Sequence, residues 1–243
     1  MRAPSTAELL EIWEQGYAKT LPSQAQLMLA CACPDMDASD LEALSIGRRD
    51  ALLMNLRRSL FGLDLNFLST CPVCAESLES ALQIDDLRLD SAPLSVVHSA
   101  SIEGWELRFR SPTQGDLLAV SAEGARAARL AVLSRCLIEA HAADGSPATA
   151  DTLPSAIAIA ISQKMANADP QANVELTLIC PACAHSWTAG FDIVSLLWKE
   201  IHVWAQRTLR DVHHLARAYG WSEDDVLSLS PTRRQLYLSM CRS

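Results

Sequence analysis

Eight cysteines occur in the 243-residue chain, and four of them stand in two runs of one form, Cys71-Pro-Val-Cys74 and Cys180-Pro-Ala-Cys183. Two residues between thiols let a tight turn aim both sulfurs at one ion, with Zn–S distances of about 2.3 Å. One such turn leaves zinc two ligands short. Two turns fill the tetrahedron and leave no position for a substrate water, so Cys71, Cys74, Cys180 and Cys183 are expected to hold one structural Zn2+. Two other chemistries use the same residues. A thioredoxin-like redox pair sits where a strand enters a helix in a βαβ unit, whereas each pair here lies between strand-like segments. A zinc hydrolase, with His185 as ligand or base, needs an open coordination position.

Residues 65–87, LNFLSTCPVCAESLESALQIDDL, lie over residues 174–196, VELTLICPACAHSWTAGFDIVSL, with more in common than the cysteines. Cys71, Pro72, Cys74, Ala75, Ser77, Ile84 and Leu87 recur as Cys180, Pro181, Cys183, Ala184, Ser186, Ile193 and Leu196, while Leu78 and Leu82 become Trp187 and Phe191. His185 takes the place of Glu76, so the repeat demands no ligand there. Two copies of a strand, turn, strand unit are expected, each supplying half of a split zinc ribbon. Joining them across so long a loop would remove denatured-state entropy on the order of 4 kcal/mol.

The elements that must position these turns are mostly helical. Leu and Ala are abundant and aromatic residues make up 5%, a composition that favours helix over β-rich architecture. Residues 1–62 form an N-terminal helical region, with apolar positions at helical spacing in 7–17, 25–31 and 46–61, punctuated by Pro22 and Pro34. Ser45 caps the third of these and Gly62 stops it. Residues 63–110 hold the first zinc hairpin and a β-hairpin, with strand character at 65–69, 78–84, 94–98 and 105–110 and a turn at Glu103-Gly104. Residues 111–172 read as a helical insertion: helix over 113–142, a loop over 144–152, and helix over 154–168 ended by Asp169-Pro170. The second zinc hairpin occupies 173–192. Residues 193–243 give a long amphipathic helix from Asp192 to Tyr219, stopped by Gly220, and two short capped helices beginning after Ser222 and Ser230. The expected fold class is mainly α with small β elements, built around the split four-cysteine ribbon.

Other chemistry-bearing residues have plainer readings. Cys31 and Cys33 form a CxC near a helix end and read as core thiols, and Cys136 and Cys241 read as inert. His213 and His214 are adjacent and point to different sides of a helix, unlike a chelating i, i+4 pair. Trp187, Trp198 and Trp204 read as core packing in preference to a partner-binding face, which is the alternative. Arg48, Arg49, Arg57 and Arg58 form a basic cluster at helical spacing that reads as a solvated face paired with nearby acids. No GxSxG, P-loop, GxGxxG or HExxH is present and no carboxylate pair stands out, so no enzyme is expected.

The net charge of −9 disfavours a general binder of the phosphate backbone, although a zinc-ribbon nucleic-acid adaptor with a local basic face remains the alternative. A small-molecule substrate is disfavoured as well. The opening MRAPSTAELLEIWEQG has Glu8 and Glu11 where a leader would be apolar, and apolar runs such as 156–161 are far short of the roughly 20 residues that cross a bilayer. A cytoplasmic chain with reduced thiols and no membrane partner is expected.

The ELLEIWEQG helix, SIGRRDALLMNLRRSLFG leading into CPVC, the second knuckle CPACAHSW and the ending HHLARAYGWSEDDVLSLSPTRRQLYL together resemble the baseplate proteins of contractile phage tails and of related phage-tail-like injection systems. The resemblance spans nearly the whole chain. It implies a role in building the baseplate or its central hub, as a component of the particle or as an assembly factor that leaves. Baseplate, hub, spike or tube proteins would be its partners, and it brings no catalytic residues.

Overall fold

A serine, threonine or aspartate opens most of the helices by accepting backbone N–H bonds that the first turn would otherwise leave unpaired. In the computed structural model, which describes residues 1–89 and 97–241, Ser5 and Glu8 form such a capping box for α1 (Thr6–Gly16). Pro22 lies in the first turn of α2 (Leu21–Ala32), where its missing N–H costs nothing, so it starts this helix instead of separating it from another. Asp37 and Asp40 box α3 (Ala38–Ala43), and Ser45 caps α4 (Ile46–Phe61), which ends at Gly62 with φ 87°. The strands β1 (Asp64–Thr70) and β2 (Ser77–Gln83) follow, then a 3-10 turn at Ile84–Leu87. Next come β3 (Val97–Ile102), β4 (Trp105–Arg110), α5 (Gln114–Ala119), α6 (Ala125–Cys136), β5 (Leu137–His141) and α7 (Ser155–Ala168). The chain closes with β6 (Glu175–Ile179), β7 (Ser186–Gly190), α8 (Ile193–Tyr219), α9 (Glu223–Leu227) and α10 (Pro231–Met240). Helix makes up about 54%. Among the described residues no helix is long and apolar enough to cross a membrane.

Two large apolar clusters organise these elements. Leu9 and Ile12 of α1, Met28 and Leu29 of α2, Leu53, Met54 and Leu56 of α4, and Leu197 and Ile201 of α8 form the main core, which Leu65 of β1 and Ile84 join from the first hairpin. Leu107 and Phe109 of β4 meet Leu133 and Cys136 of α6 and Ile157 and Ile161 of α7 in the second, which belongs to the insertion. Asp169 ties that insertion back by accepting the Gly47 N–H at 2.8 Å. The buried Gln171 accepts the Leu89 N–H at 2.7 Å and donates to the Leu87 carbonyl at 3.1 Å.

The insertion is not wholly helical. The helix expected over 113–142 breaks into α5 and α6 around Gly124, and residues 137–141 turn extended as β5, completing a sheet of order β3-β4-β5. Leu107 faces Ala140 across β4 and β5, so pairing with a strand already in place overrides the helical run that precedes it. The strand expected at 94–98 begins among described residues only at Val97; residues 94–96 lie outside them. The basic cluster on α4 also differs from a solvated face, since Arg49 and Arg57 are buried. Arg57 donates to both carboxylate oxygens of Glu200 on α8, at 2.8 and 3.0 Å, and to the Gly62 carbonyl at 2.9 Å. Arg49 donates to Asp50 at 2.8 Å and to Gln114 at 3.2 Å, and burial pushes the Asp50 carboxyl up to about 6 against the pull of Arg49.

A buried carboxylate fixes the start of α5. Asp116 is 1% exposed and accepts from Arg110, from Arg135 at 2.8 Å and from the Thr113 N–H at 2.9 Å. Burial alone would raise its pKa, but the bonds from Arg110, Thr113 and Arg135 outweigh it and hold the carboxyl well below the usual range. A depressed carboxyl contributes stability that is fully present above its unfolded pKa of about 3.9 and is lost as pH falls toward the folded value. Asp116→Asn is expected to lower stability in urea by about 2 kcal/mol at neutral pH and to flatten the loss of stability that the parent protein shows below about pH 4. An unchanged pH profile in the variant would refute this account.

Candidate metal centre

The two cysteine turns are built alike. In the first, β1 and β2 pair in antiparallel register down to Thr70↔Ser77, and the chain closes on itself as the Cys71 N–H donates to the Glu76 carbonyl at 2.9 Å and the Ala75 N–H to the Cys71 carbonyl at 3.0 Å. In the second, Ile179↔Ser186 ends the register, Cys180 N–H donates to the His185 carbonyl at 2.9 Å, and Ala184 N–H to the Cys180 carbonyl at 2.9 Å. Ala75 and Ala184 hold matching positive φ values of 60° and 57°. The repeat read in the sequence is therefore a repeat of backbone conformation, carried by alanines in a region that favours glycine.

These turns face each other and bring Cys71, Cys74, Cys180 and Cys183 together, with all four sulfurs within 4.8 Å of one another. Cys71 Sγ stands 3.7 Å from Cys183 Sγ, and Cys74 Sγ 3.5 Å from Cys180 Sγ. A tetrahedron with Zn–S bonds of about 2.3 Å has edges of about 3.8 Å, so the donor set fits such an ion. Cys71 and Cys180 are buried against Leu78 and Trp187, whereas Cys74 and Cys183 are exposed. The strands stay in two separate two-stranded sheets; the hairpins meet through the sulfurs and this small apolar patch, and both also pack on the main core, the first through Phe67 and Leu82 and the second through Leu176 and Phe191. The thiols cannot all ionise together unaided. Burial opposes ionisation of Cys71, yet the Cys74 and Val73 N–H groups draw it down to about 7; the Glu76 N–H also lowers Cys74, but the facing Cys180 and Cys183 sulfurs drive it up to about 12. A cation bound there would supply the missing charge.

The other candidates fall elsewhere. His185 stacks on Trp187 with centroids 6.2 Å apart and is outside the four-sulfur group. Cys33 is buried and Cys31 half-buried in the main core, where burial raises both thiols. Cys136 is buried beside Asp116, and desolvation first, then that carboxylate, pushes it up to about 12. Cys241, His213 and His214 are exposed. Trp198 covers Gly16 so closely that a β-carbon there would come 2.5 Å from its ring, and Trp204 lies against the main core. Two features had no place in the sequence reading: the Asp116 cluster, signalled by the box residues Thr113 and Asp116, and an exposed cationic row on α8, signalled by helical spacing.

Helices thus surround four close cysteines that could hold a metal ion. In the comparison with protein families, the model of the T4 bacteriophage base plate protein family matches residues 9–198, a segment that includes both cysteine turns, and the chain belongs to that family. No curated protein and no solved structure matches it.

The positive φ of Ala75 and Ala184 makes a local forecast. Ala75→Gly is expected to leave the centre intact and raise stability by up to about 1 kcal/mol, while Ala75→Val destabilises by at least as much. Urea denaturation of the three proteins checks it, and a glycine variant clearly weaker than the parent would contradict it.

Proposed function

We propose that Cys71, Cys74, Cys180 and Cys183 hold one structural zinc ion, and that the protein serves as a component or assembly factor of a phage-like contractile-tail baseplate or hub. The observation that carries the metal reading is the meeting of four thiols from turns separated by 106–112 residues, at spacings that suit a tetrahedral ion. Membership of the base plate protein family supports a structural role in the phage baseplate. Zinc would neutralise the four thiolates and cross-link the two hairpins. Those hairpins continue from α4 and into α8, so the cross-link fixes the main helices relative to each other, and residues 192–240 then present helix faces to hub, spike or tube proteins.

Purified protein is expected to carry one zinc per chain by mass spectrometry. Cys74→Ser or Cys183→Ser is expected to lose it, along with stability on the order of 4 kcal/mol in urea, the scale of a cross-link closing a loop of this length. A metal-free parent protein, or variants with unchanged metal content and stability, would remove the zinc reading. Separately, the tagged chain expressed with its neighbouring tail genes is expected to recover hub, spike or tube proteins; recovery of none would remove the assembly role and leave the metal centre standing.

A further inference from the structure

The outer face of α8 carries a row of basic side chains, Lys199, Arg207, Arg210 and Arg217, with Val203 and His214 in line with them. Lys199, Val203, Arg207, Arg210, His214 and Arg217 recur at steps of four or three residues, which places them on one side of a helix, and all six are exposed. From Lys199 to Arg217 the row runs about 27 Å at 1.5 Å per residue. None of its cations enters an ion pair among the described residues. Of the two acids on the same helix, Glu200 is clamped by Arg57 of α4, and Asp211 lies close enough to the buried Arg234 of α10 to favour its charge. On a chain of net charge −9, this face has the wrong sign for its own protein.

The row is interrupted once, by an apolar basin. Phe61, Val203 and the half-buried Trp204 line a depression of about 410 Å³ that also carries Lys199, Arg207 and Glu200, the last with its carboxylate held by Arg57. Val203 is 45% exposed in it. A phosphate backbone offers nothing to fill such a basin, whereas a helix with carboxylates at the same three and four residue spacing and one bulky apolar side chain matches charge and shape together.

We infer that this face of α8 is the docking surface for an acidic amphipathic helix of a partner protein, whose apolar anchor seats between Phe61, Val203 and Trp204 while its carboxylates pair with Lys199, Arg207, Arg210 and Arg217. The inference deepens the contact role proposed above but stands on its own residues, since the row lies beyond the family-matched segment 9–198.

The test uses the full-length protein and a labelled helical peptide of about 20 residues, long enough to span the row, with Glu along one face around a single Phe. Fluorescence anisotropy is expected to show binding that weakens at high salt. Replacing the glutamates by glutamine, or the Phe by serine, is expected to weaken binding at least about tenfold. Arg207→Glu/Arg210→Glu and Val203→Asp in the protein should do the same with unchanged circular dichroism. The peptide comparison requires no variant to fold. The inference is overturned if the acidic peptide fails to bind, if the glutamine peptide binds equally well, if a DNA duplex of about 20 base pairs binds more tightly, or if the row proves to be buried in a self-dimer that the double variant dissolves. Recovery of tail proteins in the co-expression experiment despite such a result would sink this surface and spare the assembly role.

Discussion

Four sulfurs within 4.8 Å of one another could all be thiolates only with a cation among them, and their crowding is what links two hairpins that lie in separate sheets. Each hairpin is too small to stand alone: a two-stranded ribbon of five to seven residues per strand has no core of its own beyond one side chain against another. Set face to face, they share Leu78, Trp187 and two buried sulfurs, a minimal interior that charge neutralisation at its centre would complete.

The centre is placed where it commands the most structure. The first hairpin leaves the end of α4 and the second leads into the start of α8, and these two helices lie side by side in the main core. A second constraint acts on the same pair, because the buried Arg57 guanidinium grips Glu200 and the carbonyl that ends α4. Guanidinium and carboxylate match in plane and spacing, so this contact fixes orientation as well as distance. The sulfurs and this clamp therefore act in series on one helix pair, with apolar packing between them.

Much of this was legible in the sequence, for physical reasons that differ by element. The cysteine turns were readable because metal chemistry restricts both residue type and spacing, and because the repeat extends to Ala75 and Ala184, whose shared φ shows why the match ran beyond the ligands. Helix α8 was readable from its period, and its ends from Asp192 and Gly220. Strand β5 was not, since Leu137 and Ile138 continue the apolar run of α6 and only the partner strand β4 decides their conformation. Nor was the burial of Arg57 readable, because its acid lies 143 residues away. Local spacing says which side of a helix a residue is on. It does not say what that side meets.

Gln171, just before the second hairpin, holds Leu87 and Leu89, just after the first, so the two ends of the intervening segment lie side by side. Its far cluster has an interior separate from the main core, yet α5 inside the segment is pinned as well: Gln114 accepts from the Arg49 guanidinium and donates to the Pro22 carbonyl. Buried amide side chains, at the root and at the near edge, therefore act as hinges pinned shut, setting where the segment sits through hydrogen-bond geometry.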